Sequence, residues 1–184
     1  SGDTALIGAY VDDVGANTNQ GSAYVYQRSG SVWTEQAHLI SSDGATEDYF
    51  GRAVALSSDG NTALIGADFK VINGNTRHGA AYIFTRAGAA WSQQTRLTDV
   101  NGDAYSWFGA SLALSADGRT ALIGTDSSGA VVFTASGGIW TQQTFLTDPN
   151  AYIGFGKEIA ISADGRTALI AAGFTFRRCG NTWL

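Results

Sequence analysis

Self-similarity constrains this 184-residue sequence more than any other feature. The stretch SSDGNTALIGA ending at Ala67 returns as SADGRTALIGT ending at Thr125 and as SADGRTALIAA ending at Ala172. The opening SGDTALIGA is the same unit without its start, so Ser1, Asp59, Asp117 and Asp164 are equivalent, at spacings of 58, 58 and 47 residues. Three more units recur around it. One is GSAYVYQRSG, GAAYIFTRAG and GAVVFTASG, and the next is SVWTEQAHL, AAWSQQTRL and GIWTQQTFL. The last is YFGRAVALS, WFGASLALS and GFGKEIAIS, and the tail GFTFRRCGNTWL aligns so that Trp183 falls on Trp140.

Each unit is short, rich in Val, Ile, Ala, Thr and aromatic residues, and bounded by Gly, Asp or Asn. These are strand signals, and no stretch sustains a 3.6-residue period. The Asp-Gly pairs 59–60, 117–118 and 164–165 mark tight turns that need positive φ. Twenty-four Gly and a single Pro fit many tight turns better than a linker. Four antiparallel strands repeating about every 50 residues read as propeller blades. The alternative, a β-solenoid, usually has shorter and more regular rungs. TALIGA is apolar on both faces, as expected for a strand in a sheet sandwiched between two neighbours.

The Phe-Gly pairs Phe50-Gly51, Phe108-Gly109 and Phe155-Gly156, each followed by a strand and then by Leu-Ile-Gly-Ala or a variant of it, resemble FG-GAP repeats. Thr125 and Ala171-Ala172 depart from the final Gly-Ala. The resemblance covers essentially the whole chain. It implies an all-β propeller like the head of integrin α subunits and of many bacterial secreted or surface proteins. It also implies adhesion or ligand binding, often with calcium, and an extracellular or cell-surface location.

In the family's strand order, residues 1–48 form a partial blade, 49–106 and 107–153 complete blades, and 154–184 a partial blade with the start of a fourth strand. That is about three and a half blades and fourteen strands, fewer than a ring of roughly seven blades needs. Three explanations compete, in this order: a fragment of a longer chain, several chains completing one ring, or closure alone as four thin blades. The sequence lacks Met, so Ser1 is not expected to be a translation start. Cys179 is the sole Cys, which precludes an intrachain disulfide.

Connections sort onto two faces. Those between strands one and two and between three and four are short and nearly identical between copies. Those between two and three (YVDDVGANTNQ, DFKVINGNTRH, DSS) and from four to the next blade (SSDGATEDY, TDVNGDAYSW, TDPNAYIG) are long and unlike one another. Varied loops on a rigid scaffold are where binding usually lives. The net charge is −5, and ten of the sixteen acidic residues fall on the varied face against Lys70 and Arg77 alone of the eleven basic ones. Such a face favours cations or a basic partner and disfavours nucleic acid. The same Asp and Asn residues would also serve simply as turn formers. No apolar run is long enough for a membrane helix.

Asp99, Asn101 and Asp103 alternate as calcium ligands do. The Asp-x-Asp-x-Asp-Gly run of integrin-type sites has shrunk here to Asp-Gly, so the family's calcium residues do not carry over. Trp33, Trp91, Trp140 and Trp183 recur at one blade position and are read as packing residues. Trp107 has Tyr49 and Gly154 as its equivalents, so it answers no common packing demand. With Tyr105, Tyr49 and Asp103 it is a candidate ligand surface for a glycan or protein, packing between loops being the alternative. Catalytic residues are not expected: His38 and His78 lack a nucleophile partner, and GxSxG and phosphate-cradling motifs are absent. The sequence thus points to a binding or adhesion module rather than an enzyme. The alternative is a structural block that assembles with copies of itself through open blade edges.

Overall fold

A computed structural model describes residues 2–126, 129–148, 154–170, 173–180 and 182–184. Ser127, Ser128, loop residues 149–153 and the variant pair Ala171-Ala172 lie outside the described residues. The described residues form fifteen strands and no helix. The first blade holds β1 (Thr4–Ala9), β2 (Ser22–Ser29) and β3 (Val32–Leu39). The second holds β4 (Val54–Leu56), β5 (Thr62–Ala67), β6 (Ala80–Ala87) and β7 (Ala90–Leu97). The third holds β8 (Ser111–Leu114), β9 (Thr120–Gly124), β10 (Ala130–Ser136) and β11 (Ile139–Leu146). The fourth holds β12 (Ile159–Ile161), β13 (Thr167–Ile170), β14 (Phe174–Cys179) and β15 (Thr182–Trp183). Each blade is an antiparallel meander of neighbours in chain order. The count exceeds fourteen because Gly180, at φ 63°, turns the tail back and Trp183 pairs with Arg178.

The sheets stack in sequence, and each of the three hydrophobic clusters lies between consecutive blades. Strand alternation sorts the side chains. Ala80, Tyr82 and Phe84 of β6 face the first blade, while Ala81 and Ile83 face the third. The two central strands of a middle blade are therefore buried on both faces, which is why β5, β6, β9 and β10 read as near-continuous apolar runs, whereas the outer β7 and β11 alternate with exposed residues. The inner strands touch in the order β1, β4, β8, β12, and no contact of comparable extent joins the first blade to the fourth among the described residues.

The Phe-Gly and Ile-Gly-Ala motifs meet between blades. Phe50, Phe108 and Phe155 are fully buried. The glycine of each Leu-Ile-Gly lies against the carbonyl of the next blade's Phe-Gly, pairing Gly8 with Gly51, Gly66 with Gly109 and Gly124 with Gly156. A Cβ at Gly66 would overlap the Gly109 carbonyl oxygen. The Ser-x-Asp-Gly-x-Thr turns are wired internally. Asp59 Oδ1 accepts from Ser57 Oγ at 2.6 Å and from the Asn61 amide at 3.0 Å, and Asp117 and Asp164 repeat the pattern. The near-identity of these turns thus has a structural cause.

Trp91, Trp140 and Trp183 pack against the interface with the preceding blade, and Trp91 Nε1 donates to Gln36 of that blade at 3.0 Å. The packing role does not extend to Trp33. No described blade precedes it, and it is 44% exposed beneath the Arg28 guanidinium.

Gly66→Ala forces backbone apart at a blade interface. It is expected to cost about 3 kcal/mol, as overpacking does. That lowers the thermal unfolding midpoint by roughly 6–12 °C for a chain of this size; an unchanged midpoint would contradict the packing described.

Candidate functional site

The varied loops interlock from blade to blade. Residues 10–21 and 68–79 each form a small hairpin closed by a bridge, Val14 with Asn17 and Ile72 with Asn75. Each hairpin lies along the loop entering the next blade. The Glu47, Tyr49 and Phe50 amides donate to the carbonyls of Thr18, Asn19 and Gln20. One blade later, Tyr105, Trp107 and Phe108 donate to Thr76, Arg77 and His78 at 3.0, 3.0 and 3.1 Å. This clasp needs left-handed backbone at fixed positions. Asn19 and Arg77, Glu47 and Tyr105, and Tyr49 and Trp107 are repeat-related pairs with φ from 47° to 64°. In the fourth blade Gly154, at φ 96°, holds the place of Trp107. Tyr and Trp therefore occupy a conformation that glycine adopts without a steric penalty.

The side chains displayed there form a connected surface. Tyr49 meets Phe69 edge-on at 4.7 Å and Tyr10 at 6.1 Å. The Arg77 guanidinium lies 4.7 Å from the Phe69 ring centre and 5.9 Å from that of Tyr105. Tyr105 in turn packs edge-on to Trp107 at 6.0 Å. The candidate residues Tyr49, Tyr105 and Trp107 thus come together, through Phe69 and Arg77. Tyr105 and Tyr10 are exposed, at 53% and 44%, and Trp107 and Tyr49 are half-buried.

Beside Trp107 lies an open cavity of about 450 Å³ at the inner ends of the second, third and fourth blades. Arg52, Asp68, Phe69, Ala110, Asp126 and Lys157 complete its lining. Asp68 Oδ2 pairs with Arg52 Nε at 3.2 Å, and its buried Oδ1 has no hydrogen-bond partner. Burial pushes the Asp68 carboxyl up to about 6, against the pull of Arg52. Asp126 Oδ1 forms an ion pair with Lys157 Nζ at 2.9 Å, without hydrogen-bond alignment.

Asp99, Asn101 and Asp103 line a separate cavity of about 370 Å³ that Tyr105 also borders. Asp99 is already engaged: its Oδ1 accepts from the Asn101 amide at 3.1 Å and from Gln142 Nε2 at 2.9 Å. Calcium takes six to eight oxygens, and this loop brings three such side chains, one already committed. Among the described residues no three His, Cys, Asp or Glu side chains gather as a metal site.

The acidic character expected of this face is largely internal wiring. Asp12 accepts from Ser22 and Tyr24, which hold its carboxyl below the ordinary value. Asp48 binds the buried Lys70 at 2.7 Å. Burial raises the Asp43 carboxyl, but the Tyr82 hydroxyl, Lys70 and Arg96 outweigh it and hold the carboxyl low. His78 is buried, with Nδ1 3.2 Å from the Gly79 carbonyl, and His38 stacks on Tyr24 at 4.5 Å. Neither faces a nucleophile in these contacts. Sequence reasoning missed Arg52, Phe69, Asp68 and Lys157 as partners of Trp107. Arg52 and Lys157 follow the Phe-Gly motif directly, so the repeat alignment already marked them as varied.

The elevated Asp68 carboxyl gives a signed pH effect. Its folded-state value lies above its ordinary 3.8, so protonation favours the folded protein. Its stabilising contribution is present in full below the unfolded value and is lost as pH rises through about 6. Asp68→Asn removes this titration. The midpoints of variant and parent should coincide near the acidic end of that window and diverge, the variant higher, by neutral pH. A pH-independent offset would contradict a buried, ionising Asp68.

Against known proteins, the FG-GAP repeat family matches residues 1–26 and 33–84. No curated protein sequence matches the chain. Among solved structures it resembles two proteins provisionally assigned as 6-phosphogluconolactonases. One is from Bacteroides uniformis ATCC 8492, with 15% identity and a TM-score of 0.60. The other is from Bacteroides fragilis NCTC 9343, with 16% identity and a TM-score of 0.61. Each likeness covers 89% of this chain and 46% of the other, so the chain spans about half the length of the structures it matches. At such identity the likeness is one of fold. Residues 1–26 and 33–84 thus match the FG-GAP repeat, the same Phe-Gly motif recurs at Phe108-Gly109 and Phe155-Gly156, and the described residues fold as consecutive antiparallel blades of the β-propeller type.

Proposed function

We propose that this chain is a binding or adhesion module of the FG-GAP propeller type, working outside the cytoplasm, with a protein or glycan ligand on its varied-loop face. The observation that carries the reading is the conformation of Tyr49, Tyr105 and Trp107. Three large aromatic residues hold left-handed backbone on one surface, at a cost of about 1–2 kcal/mol each. At one of these positions the fourth blade uses glycine. Strain of this kind in non-glycine residues clusters at functional sites. Aromatic rings beside a guanidinium also supply the buried area and polar edges that anchor interfaces. The extracellular setting is supported by the FG-GAP repeat itself. The fold shared with the Bacteroides proteins carries no activity over, and the cavity presents paired charges rather than an acid, base and nucleophile in reach of one another.

The test is capture of the purified chain on arrays of glycans and extracellular-matrix proteins, with Trp107→Gly and Tyr105→Ser as variants. Trp107→Gly relieves backbone strain while deleting the ring, so its thermal midpoint should stay within a few degrees of the parent and its capture should be lost. Capture by both variants at the parent level would overturn the reading.

A second reading, assembly through blade faces, is favoured by the exposure of Ile7 and Trp33 on the first blade, at 53% and 44%, where the equivalent Ile65 is fully buried. In the later blades the tryptophan at this position packs on a neighbour. Light scattering distinguishes the readings. Assembly predicts a species heavier than 19.2 kDa that Trp33→Ser returns to the monomer; a monomeric parent removes it.

A further inference from the structure

We propose that the cavity at the seam of the third and fourth blades, on the short-turn face, binds a phosphate or sulfate group between Arg119, Arg166 and Arg178. This site lies on the opposite face from the varied loops and stands independently of the binding reading above. The repeat shows what its positions ordinarily do. One position immediately precedes β1, β5, β9 and β13, and holds Asp3, Asn61, Arg119 and Arg166 in turn. The other lies on β2, β6, β10 and β14, and holds Arg28, Arg86, Ala135 and Arg178. In every blade the amide of the second residue donates to the carbonyl of the first at 2.8 Å, so the two are cross-strand neighbours.

The side chains at this pair change from blade to blade. In the first, Arg28 Nε and Nη2 donate to Asp3 Oδ1 at 3.0 and 2.8 Å. In the second, Arg86 Nε donates to Asn61 Oδ1 at 3.0 Å. In the third, Ala135 leaves Arg119 without such a partner, and in the fourth the pair is Arg166 with Arg178. Like charges so placed destabilise a sheet. Among the described residues, none of these three arginines joins an ion pair. All three line one open cavity of about 430 Å³, into which Ala135 and Gly180 also open. Arg178 is half-buried, and its Nε is fixed by donating to the Gly180 carbonyl at 2.9 Å. Asp117 and Asp164 line the cavity as well, but each commits Oδ1 to its own turn, accepting from a serine hydroxyl and the next arginine's amide. Three cations against two carboxylates leave the lining positive, which favours an anion. A guanidinium fork matches two oxygens, so one fork already satisfies a carboxylate. A tetrahedral phosphate or sulfate has oxygens enough for three. The volume lies within the usual span of small-molecule sites, so an ester of either acid fits as well as the free ion.

The experiment is calorimetric titration and thermal unfolding of the whole chain at low ionic strength. The probes are inorganic phosphate, inorganic sulfate, glucose 6-phosphate and galactose 6-sulfate, with acetate and glucose as comparators. The variants are Arg166→Asp, Arg178→Gln and Arg177→Gln. Arg166→Asp reproduces the Asp3–Arg28 pair of the first blade, so it is expected to fold and to engage Arg178. Arg177 is exposed on the same strand and outside the cavity lining, so Arg177→Gln removes an equal charge without touching the site. The expected result is saturable binding of at least one oxyanion, weakened about 10- to 100-fold by Arg178→Gln, as for loss of a hydrogen bond to a charged group. Binding should be abolished by Arg166→Asp and nearly unchanged in Arg177→Gln. The oxyanion should raise the unfolding midpoint of the parent and leave that of Arg166→Asp where it was. Tighter binding of the esters identifies a phosphorylated or sulfated organic ligand, and tighter binding of the inorganic ions identifies the free anion. The proposal is overturned by a parent that binds no oxyanion, by preference for acetate, by parent-level binding in Arg166→Asp, or by equal weakening in Arg177→Gln and Arg178→Gln.

Discussion

The blades stand at the distance at which two glycine backbones touch, and most of the architecture follows from that approach. Gly8, Gly66 and Gly124 each lie against the Phe-Gly carbonyl of the following blade, where a single Cβ would overlap backbone. Backbone cannot shift as a side-chain rotamer can, so the contact sets blade spacing rather than adapting to it. Beyond the glycines the gap is filled by alternating small and aromatic residues, such as Ala80, Tyr82 and Phe84 against Ala23 and Val25. All three hydrophobic clusters lie between blades, so an isolated blade would have no core. Cohesion is therefore a sum of nearest-neighbour interfaces, as in other repeat proteins.

The same spacing generates the candidate site. Loops held this close pair backbone to backbone, and the parallel bridge from Gly79 to Phe108 marks the seam. To enter the next blade from this seam the chain must pass through left-handed backbone at the residue before Phe. Glycine meets that demand in the fourth blade and tyrosine or tryptophan in the second and third. The aromatic surface is thus placed by a structural requirement, while its chemical identity is not. The distinction separates Trp107, where glycine would serve the scaffold, from Phe108, which is fully buried and belongs to the core.

The repeat made the blades legible from sequence. Phe-Gly, Leu-Ile-Gly-Ala and the Asp-Gly turns are each tied to a contact that recurs in every copy. Trp107 stood out for the opposite reason, because Tyr49 and Gly154 hold its place in the neighbouring blades. What stayed hidden was the lateral register between blades. The neighbours of Asp68 are Arg52, sixteen positions earlier in the chain, and the empty space at Ala110, far later. Neither relation has a signature within one strand. Charge arithmetic misled for a similar cause: Asp12, Asp43, Asp48 and Asp99 look like solvated acids in a line of text and are hydrogen-bond acceptors in space. The tryptophan series failed only at Trp33, where the described chain offers no preceding blade.

Regularity and irregularity therefore have different consequences in this chain. At the inner rim Asp126 meets Lys157 across a seam, whereas Asp68 meets Ala110 there and pairs with Arg52 of its own blade. With Ala110 at that place, one buried carboxylate oxygen of Asp68 stays without a hydrogen-bond partner. The third blade's strand-two-to-three connection is also shorter in sequence than the one bearing Phe69. Burial of Asp68 without full pairing raises its carboxyl toward neutrality, a free-energy cost that a better-paired rim would avoid. A scaffold whose stability rests on many equivalent seams can bear one such defect.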